Sequence, residues 1–242
     1  MARIAIDLHM HSILSPCGDE DMTPNNIVNM AVIKGLDYIA VTDHNSALNL
    51  PAVTAVAKKT GLCVLPGLEI TTLEEAHVLA YFNTVEKAMI MGEFVATYLL
   101  DIPNKPNFWG HQYILDEEDE IIGEHQQSLL APSTLSVNKL YEKTLELEGV
   151  LVPAHVDKTS YSLIQSLGFI PENLGIKTLE ISKKNTFSDA IQKFPQIKKY
   201  QLIHASDAHY LEDIAEREYF INLSDMKRRT LIDYLKKKDK FL

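Results

Sequence analysis

A pattern of two histidines and a carboxylate directly follows the first apolar run of the chain. Asp7, His9 and His11 alternate in the order D-x-H-x-H after Ile4–Ile6. Residues two apart on a strand point to the same side, so the three side chains can converge where the strand ends. Neutral imidazoles and a carboxylate at one point are typical ligands of a first-row transition metal. The pattern therefore predicts a metal site.

The same residue types recur where later apolar runs end. One such motif could be a set of polar loop residues, but the recurrence favours a shared site. Residues at the carboxyl ends of neighbouring parallel strands meet at one end of the fold. The further candidates are Asp43 with His44, Glu69, His77, His155, and Asp207 with His209.

Strand-like and helix-like segments alternate along the chain and predict the frame that positions these residues. Thr23 can cap a helix to about Lys34, with Pro24 in its first turn. The alternation implies right-handed βαβ units, a mainly parallel sheet and, with about seven units, a closed or nearly closed barrel. The predicted strands are Arg3–Ile6, Tyr38–Val41, Cys63–Leu65, Val78–Tyr81, Val150–Pro153, Thr178–Ile181, Gln201–Ala205 and Tyr219–Leu223.

Residues 101–132 interrupt this alternation. They contain several prolines and glycines and an acidic turn at Asp116–Glu120. A loop of this length is more often functional than idle. We expect an irregular insertion that could hold a short hairpin and serve as a lid or an oligomer contact. The length of 242 residues otherwise fits one α/β domain over 1–242.

The composition indicates which binding partners and which cellular compartment to expect. The formal net charge of −10 argues against strong nucleic-acid binding, which depends on basic side chains at phosphates. Two cysteines give no disulfide framework, and no apolar run is long enough to span a bilayer. The first residues have no signal-peptide pattern, so we expect a cytoplasmic protein without membrane contact. The sequence leaves the oligomeric state open.

Taken in order, these motifs resemble the PHP (polymerase and histidinol phosphatase) superfamily. The resemblance runs from residue 3 to about residue 210. It implies a distorted (β/α)7 barrel, similar to a TIM barrel, that holds two or three divalent metal ions. The stretches that carry it are Asp7–Ser12, Gly35–Asn45, Gly67–Glu69, His77, Ala154–His155 and Ser206–His209.

The resemblance also implies roles for individual residues. Glu69 would be the natural carboxylate to bridge two metal ions. Asp7 and Asp43 would orient metal-ligating side chains without binding the metal themselves. The ligand chemistry suits zinc, manganese or iron without choosing among them. The implied ligands are His9, His11, His44, Glu69, His77, His155, Asp207 and His209.

One position departs from the family pattern. Pro16 stands where members of the family often have a further ligand, and proline has no ligating side chain. Asp19 is the first choice for a displaced ligand, with Glu20, Asp21 and Cys17 as alternatives. A Cys17 thiolate would favour zinc. Whether a third metal position is complete is therefore open.

The implied activity is that of a phosphoesterase acting on a small phosphomonoester, such as a nucleotide, a sugar phosphate or an amino-alcohol phosphate. Two metals could activate a hydroxide for in-line attack and clamp the phosphoryl oxygens. Asp207 or His209 could assist proton transfer, and Lys158, or secondarily Arg217, could bind the phosphate. Two alternatives stay open, a metallohydrolase of a non-phosphate bond and a non-catalytic, metal-binding regulatory module.

Overall fold

The N-terminal strand is the centre of the largest sheet. In this computed structural model, which describes residues 1–237, β1 (Ala2–Met10) pairs in antiparallel fashion with β11 (Phe220–Leu223). On its other side β1 pairs in parallel with β2 (Tyr38–Val41), which pairs in parallel with β3 (Cys63–Val64). From Ile4 onward β1 is buried on both faces, so its apolar residues contribute to two separate core clusters.

An antiparallel sheet forms the second part of the fold. The strands β4 (Gly67–Thr71) and β5 (His77–Tyr81) make a hairpin, and β8 (Val150–Pro153) pairs antiparallel with β5. The prediction of a mainly parallel sheet is wrong here, and β4 was not predicted at all. Pro66 and Gly67 break the apolar run, and the short connection between β4 and β5 permits only a hairpin, because a parallel pair needs a long crossover.

A parallel pair completes the main strands. The pair consists of β9 (Thr178–Ser182) and β10 (Gln201–Ala205). Single bridges at Met10–Ala208 and His44–Glu69 join neighbouring sheets. Across residues 1–237 the strands do not form one closed sheet. The fold is thus mixed α/β, the (β/α)7 barrel is not confirmed, and the assignment of 1–242 to one domain stays a prediction.

The helices begin where the sequence offers capping side chains. Thr23 precedes the first helix and its hydroxyl accepts a hydrogen bond from the backbone N–H of Asn26, as predicted. None of the helices within residues 1–237 combines the length and apolarity that crossing a bilayer requires. The helices are α1 (Pro24–Ile33), α2 (Leu50–Thr60), α3 (Val85–Ala96), α4 (Pro106–Trp109), α5 (Val137–Glu146), α6 (Leu163–Leu167), α7 (Phe187–Lys193) and α8 (Arg228–Leu235).

The insertion forms hydrogen bonds with the N-terminus of the first helix. It holds α4 and a hairpin of β6 (Tyr113–Leu115) and β7 (Ile121–Glu124). In the acidic turn, the Asp119 carboxylate accepts hydrogen bonds from the Thr23 hydroxyl at 2.6 Å and the Asn25 backbone N–H at 3.1 Å. An anionic acceptor is favourable at a helix N-terminus. The acidic turn therefore stabilises α1, while the predicted role of the insertion as a lid or oligomer contact stays a prediction.

Candidate metal centre

The described chain brings eight predicted ligands to one end of the strands. His9 lies on β1 and His11 just beyond it, so alternate side chains of one extended segment share a face. Glu69 lies within β4 rather than after a strand, and the β4–β5 hairpin places it beside its neighbours. The others follow or begin strands: His44 after β2, His77 at the start of β5, His155 after β8, and Asp207 with His209 after β10.

Glu69 is the centre of this cluster. Its Oε1 lies 3.0 Å from His77 Nδ1 and 3.3 Å from both His9 Nε2 and His155 Nε2. Its Oε2 lies 3.0 Å from His44 Nδ1. Burial alone would raise the pKa of the Glu69 carboxyl, but His77, His9 and His44 lower that pKa well below its usual range. Glu69 is therefore ionised at neutral pH, as a bridging ligand must be.

Asp207 supplies the second carboxylate of the cluster. Its Oδ1 lies 3.3 Å from both His9 Nε2 and His11 Nε2. Burial would lower the pKa of His9, but Glu180, Glu69 and Asp207 raise it well above its usual range. Burial and the neighbouring histidines hold the pKa of His11 low. Because a ligand must be deprotonated, cation uptake would release a proton from His9.

Several buried atoms in the cluster fit cation binding. His44 Nδ1 and Glu69 Oε2 lie 3.0 Å apart, and within residues 1–237 neither atom has a hydrogen-bond partner of good geometry. Such orphaned atoms are costly unless another group satisfies them. Three ligand sets each have their atoms within 4.8 Å: His9, His11 and Glu69; His44, Glu69 and His77; and His11, His44 and His209. The residues fit divalent cations; their number and identity stay predictions.

Asp43 acts on a predicted ligand through a serine. Its carboxylate accepts a hydrogen bond from the Ser15 hydroxyl at 2.7 Å, so the Ser15 oxygen in turn accepts from His11 Nδ1–H at 3.0 Å. Fixing the proton on Nδ1 leaves Nε2 of His11 as the free donor atom. The arrangement fits the predicted orienting role of Asp43.

Within residues 1–237 the hydrogen bonds of Asp7 go to backbone groups rather than to a ligand side chain, and its predicted orienting role stays a prediction. Its buried carboxylate instead accepts hydrogen bonds from the backbone N–H groups of Ser206 at 3.0 Å and Ala215 at 2.9 Å. Asp7 thereby anchors both ends of the segment that contains Asp207 and His209. It positions these residues through the backbone.

Glu180 is the functional residue that sequence reasoning missed. It is fully buried on β9, its Oε2 lies 2.9 Å from His9 Nδ1, and its Oε1 accepts from the His155 backbone N–H at 3.1 Å. A carboxylate behind a ligating histidine fixes the tautomer and raises the basicity of the ring. The available signal was a single acid between the apolar residues Leu179 and Ile181 of a predicted strand.

Replacing Glu180 with glutamine should weaken metal binding. Glutamine keeps the side-chain volume but removes the charge that orients His9, so we expect an affinity loss of about 10- to 100-fold. Competition with a chromophoric chelator measures this loss directly. Glu172→Gln is a suitable control, because Glu172 is exposed and pairs with Lys199 away from the cluster. An unchanged affinity in Glu180→Gln would contradict the orienting role.

The two predicted phosphate ligands lie in different places. Lys158 Nζ donates to Asp207 Oδ2 at 2.5 Å, at the edge of the cluster. Burial lowers the pKa of Lys158, but Asp207 outweighs this and the pKa is raised. Arg217 instead pairs with Asp37 at 3.0 Å and contacts the Gly35 carbonyl, at the other end of β2. Arg217 is thus a correction to the predicted site, since its guanidinium is engaged away from the cluster.

Two candidate ligands of the loop after His11, Asp19 and Cys17, lie outside the clustered ligand sets of residues 1–237. The Asp19 carboxylate accepts from the Asp21 backbone N–H at 3.0 Å and is not among the clustered ligand atoms of residues 1–237. Cys17 is exposed, and its thiol is likewise not among the clustered ligand atoms of residues 1–237. Burial would raise the pKa of this thiol, but His44 and His209 lower it to about 6.

Left-handed backbone occurs at two of the predicted ligands and next to a third. The φ angles of Asn45, His155 and Asp207 are 52°, 29° and 54°. Such conformations are costly outside glycine and persist where surrounding contacts impose them. Asn45 shows such contacts, because its side-chain amide donates to the Leu129 carbonyl at 2.7 Å. Contacts of this kind hold neighbouring ligands in fixed positions.

Comparisons with known proteins give one family match and several relatives. The model of the PHP domain family matches residues 7–170. The 5'-3' exoribonuclease Rnm of Salmonella typhimurium is 34% identical over 76 residues, which cover 31% of this chain and 25% of that protein. The chain thus spans about a quarter of the length of this relative.

Solved structures share the fold at low sequence identity. The lesion-specific endonuclease PfuEndoQ of Pyrococcus furiosus has a TM-score of 0.73 and 19% identity, over 97% of this chain and 56% of that chain. A candidate metal-dependent phosphoesterase of Bifidobacterium adolescentis has a TM-score of 0.64 and 20% identity, over 97% of each chain. At these identities the likeness shows a common fold.

Proposed function

The chain belongs to the PHP domain family, and from this membership we propose that it is a divalent-metal-dependent hydrolase of phosphate esters. The observation that carries the proposal is the buried Glu69 carboxylate among four histidines, with Asp207 beside it. Carboxylate and imidazole in this ratio suit zinc, manganese or iron. When bound, the cations would lower the pKa of a water molecule and clamp phosphoryl oxygens.

Residues of the chain would orient the ligands, hold the cations and transfer a proton. Glu180 and the Asp43–Ser15 pair hold the imidazoles of His9 and His11 in one tautomer. Asp207 would hold a cation, and Asp207 or His209 would take up or return a proton at the leaving oxygen. The ammonium group of Lys158 donates a hydrogen bond to Asp207 at 2.5 Å and so lies at the edge of the cluster. A substrate phosphate bound at the metals would therefore lie close to this ammonium group.

A small phosphomonoester is the first candidate substrate. The net charge of −10 and the acidic insertion would repel a long polyanion more than a small one. A phosphodiester in nucleic acid is the second candidate, because two similar proteins are named as an exoribonuclease and a lesion-specific endonuclease.

A substrate panel tests the proposed function. Purified protein loaded with zinc or manganese would be offered nucleoside monophosphates, nucleoside bisphosphates, sugar phosphates and histidinol phosphate, together with single-stranded RNA and an amide and a lactone substrate. We expect phosphate release from at least one monoester. Cleavage of RNA alone would favour the second candidate. Hydrolysis of only the amide or lactone, or no turnover by fully metal-loaded protein, would contradict the proposal.

Removing the Lys158 ammonium should weaken substrate binding more than turnover. For Lys158→Met we expect KM to rise about tenfold, or about 1.4 kcal/mol, with a smaller change in kcat. Lys183→Met is a matched control, because Lys183 is similarly exposed and also pairs with an aspartate, Asp213, at 2.6 Å. An unchanged KM in Lys158→Met would exclude a phosphate contact.

A further inference from the structure

We propose that a cavity at the end of β2 and β3 opposite the metal cluster binds a small oxyanion such as inorganic phosphate. Tyr38 is the first residue of β2 and Cys63 the first of β3, whereas the predicted metal ligand His44 follows the far end of β2. The cavity has a volume of about 170 Å³ and lies between β2, β3, α2 and the first residue of α8. The proposal does not depend on the metal-dependent function, because among residues 1–237 no predicted metal ligand lines this cavity.

Two buried hydroxyl groups belong to the residues that line the cavity. Tyr38 is fully buried and Thr54 is 6% exposed. Within residues 1–237 neither hydroxyl oxygen has a hydrogen-bond partner. A buried polar group without a partner is costly, so such groups in native proteins are generally satisfied by the chain, by water or by a ligand. Burial raises the pKa of Tyr38, so its hydroxyl keeps the proton and can donate a hydrogen bond.

The distribution of such unpaired atoms sets this cavity apart. Buried side-chain atoms without a partner concentrate in two places within residues 1–237, the metal cluster and this cavity. The cluster contributes atoms of His44, Glu69 and His155, which the bound cations would satisfy. The Tyr38 and Thr54 hydroxyls are the corresponding pair at the cavity. The same physical signal that marks the metal centre therefore also marks a second ligand position.

Two cationic side chains give the cavity its preference for an anion. The half-buried Arg228 donates from Nε to the Val64 carbonyl at 2.7 Å, and its guanidinium forms no other hydrogen bond or ion pair within residues 1–237. The bond to Val64 fixes the guanidinium and leaves its two Nη groups, a fork that matches two oxygens of a phosphate. Lys58 lines the cavity from α2 and adds a second positive charge.

The nearest acids are engaged with other partners. The Asp37 carboxylate accepts from the Ala5 backbone N–H at 2.7 Å and pairs with Arg217 at 3.0 Å. The Asp225 carboxylate accepts from the Thr230 hydroxyl at 2.6 Å. Neither aspartate lines the cavity, so the charge of its lining side chains is positive.

The size of the cavity limits the ligand. A single water molecule needs only about 10 to 15 Å³ of such space, whereas pockets for drug-sized ligands measure about 300 to 1,000 Å³. Arg228 and Lys58 would repel a cation, and an apolar ligand would leave the two hydroxyls unpaired. A small oxyanion fits the space, pairs with the cations and accepts from the hydroxyls.

Phosphate binding to the full chain tests the proposal. Equilibrium dialysis of the metal-loaded protein against labelled inorganic phosphate counts the bound ions, and any phosphate at the metals is common to all variants. Tyr38→Phe combined with Thr54→Val removes both hydroxyls, and Arg228→Met removes the charge. Each change should weaken binding of the cavity phosphate about tenfold or more. Arg229→Met is the matched control, because Arg229 is the next residue and pairs with Asp233 at 3.2 Å.

Thermal unfolding gives a second measurement. Phosphate should raise the unfolding midpoint of the unaltered protein by more than that of the double variant, because a ligand stabilises only the state that binds it. Without phosphate, Tyr38→Phe should leave the midpoint unchanged or raised, since the lost hydroxyl has no partner within residues 1–237. Tyr81→Phe is the control: its hydroxyl donates to the Leu8 carbonyl at 2.6 Å, so this variant should be less stable but keep the full phosphate effect.

Crystals soaked in arsenate would locate the ion. We expect anomalous density between the Arg228 guanidinium and the two hydroxyls. Density at the metal cluster alone, or phosphate binding and thermal shifts that are equal in the unaltered protein and the cavity variants, would overturn the proposal. An occupied cavity in a protein that hydrolyses no phosphate ester would support the anion site and overturn only the proposed function.

Discussion

Replacing Glu69 with glutamine is expected to lower kcat by roughly three orders of magnitude or more, which equals about 4 kcal/mol of transition-state stabilisation. Glu69 is the charged group that His9, His44, His77 and His155 share, at 3.0 to 3.3 Å. Glutamine preserves the volume but cannot offer two anionic oxygens to two cations. The variant should also bind less metal, because the two ligand sets that contain Glu69 lose their negative charge.

Steady-state kinetics and metal analysis of Glu69→Gln measure both effects. Circular dichroism would verify that the variant is folded. Glu75→Gln is a suitable control, because Glu75 lies nearby on the exposed β4–β5 turn and should leave kcat unchanged. Full metal content with near-normal turnover in Glu69→Gln would show that the carboxylate does not bridge the cations.

Replacing His9 with alanine is expected to lower kcat by about 100-fold or more, because it removes one donor atom and the partner of Glu180. The fold should persist, since β1 keeps its ladder with β2 and β11. Its midpoint of thermal unfolding should fall, because the Glu180 carboxylate loses a buried hydrogen bond that contributes about 1.5 to 3 kcal/mol.

His204→Ala is the matched histidine control. His204 lies on β10 outside the cluster and stacks between Phe187 at 4.1 Å and Tyr219 at 4.8 Å. Its substitution should lower stability through lost packing but leave kcat and metal content near those of the unaltered protein. A His9→Ala variant with the kinetic behaviour of His204→Ala would show that the first motif serves packing.

Local patterns in the sequence predicted the elements well where a chemical signal marked their ends. Thr23, Pro24 and Gly35 delimit α1, and its observed span of Pro24–Ile33 is close to the predicted one. The strand at Tyr38–Val41 was likewise predicted with its observed bounds. Capping and periodicity act within a few residues, so a linear reading can detect them.

Pairing between distant segments was harder to predict. The β4–β5 hairpin was missed because Pro66 and Gly67 concealed the start of β4. Strand direction depends on which segments meet in space, and a short apolar run carries no information on its partner. The expected parallel barrel consequently became several sheets with an antiparallel part.

The sequence by itself predicted the candidate metal-ligating residues, because a metal site demands particular residue types and these stand in a recognisable order from His9 to His209. Only the tertiary structure decided how the supporting residues act. In the structure the Asp7 carboxylate accepts hydrogen bonds from the backbone of Ser206 and Ala215. Glu180 contacts the Nδ1 atom of His9, and Arg217 forms an ion pair with Asp37. The Asp19 carboxylate is engaged with the backbone N–H of Asp21. A supporting contact depends on side-chain direction across long sequence separations, and that direction is fixed only when the elements pack.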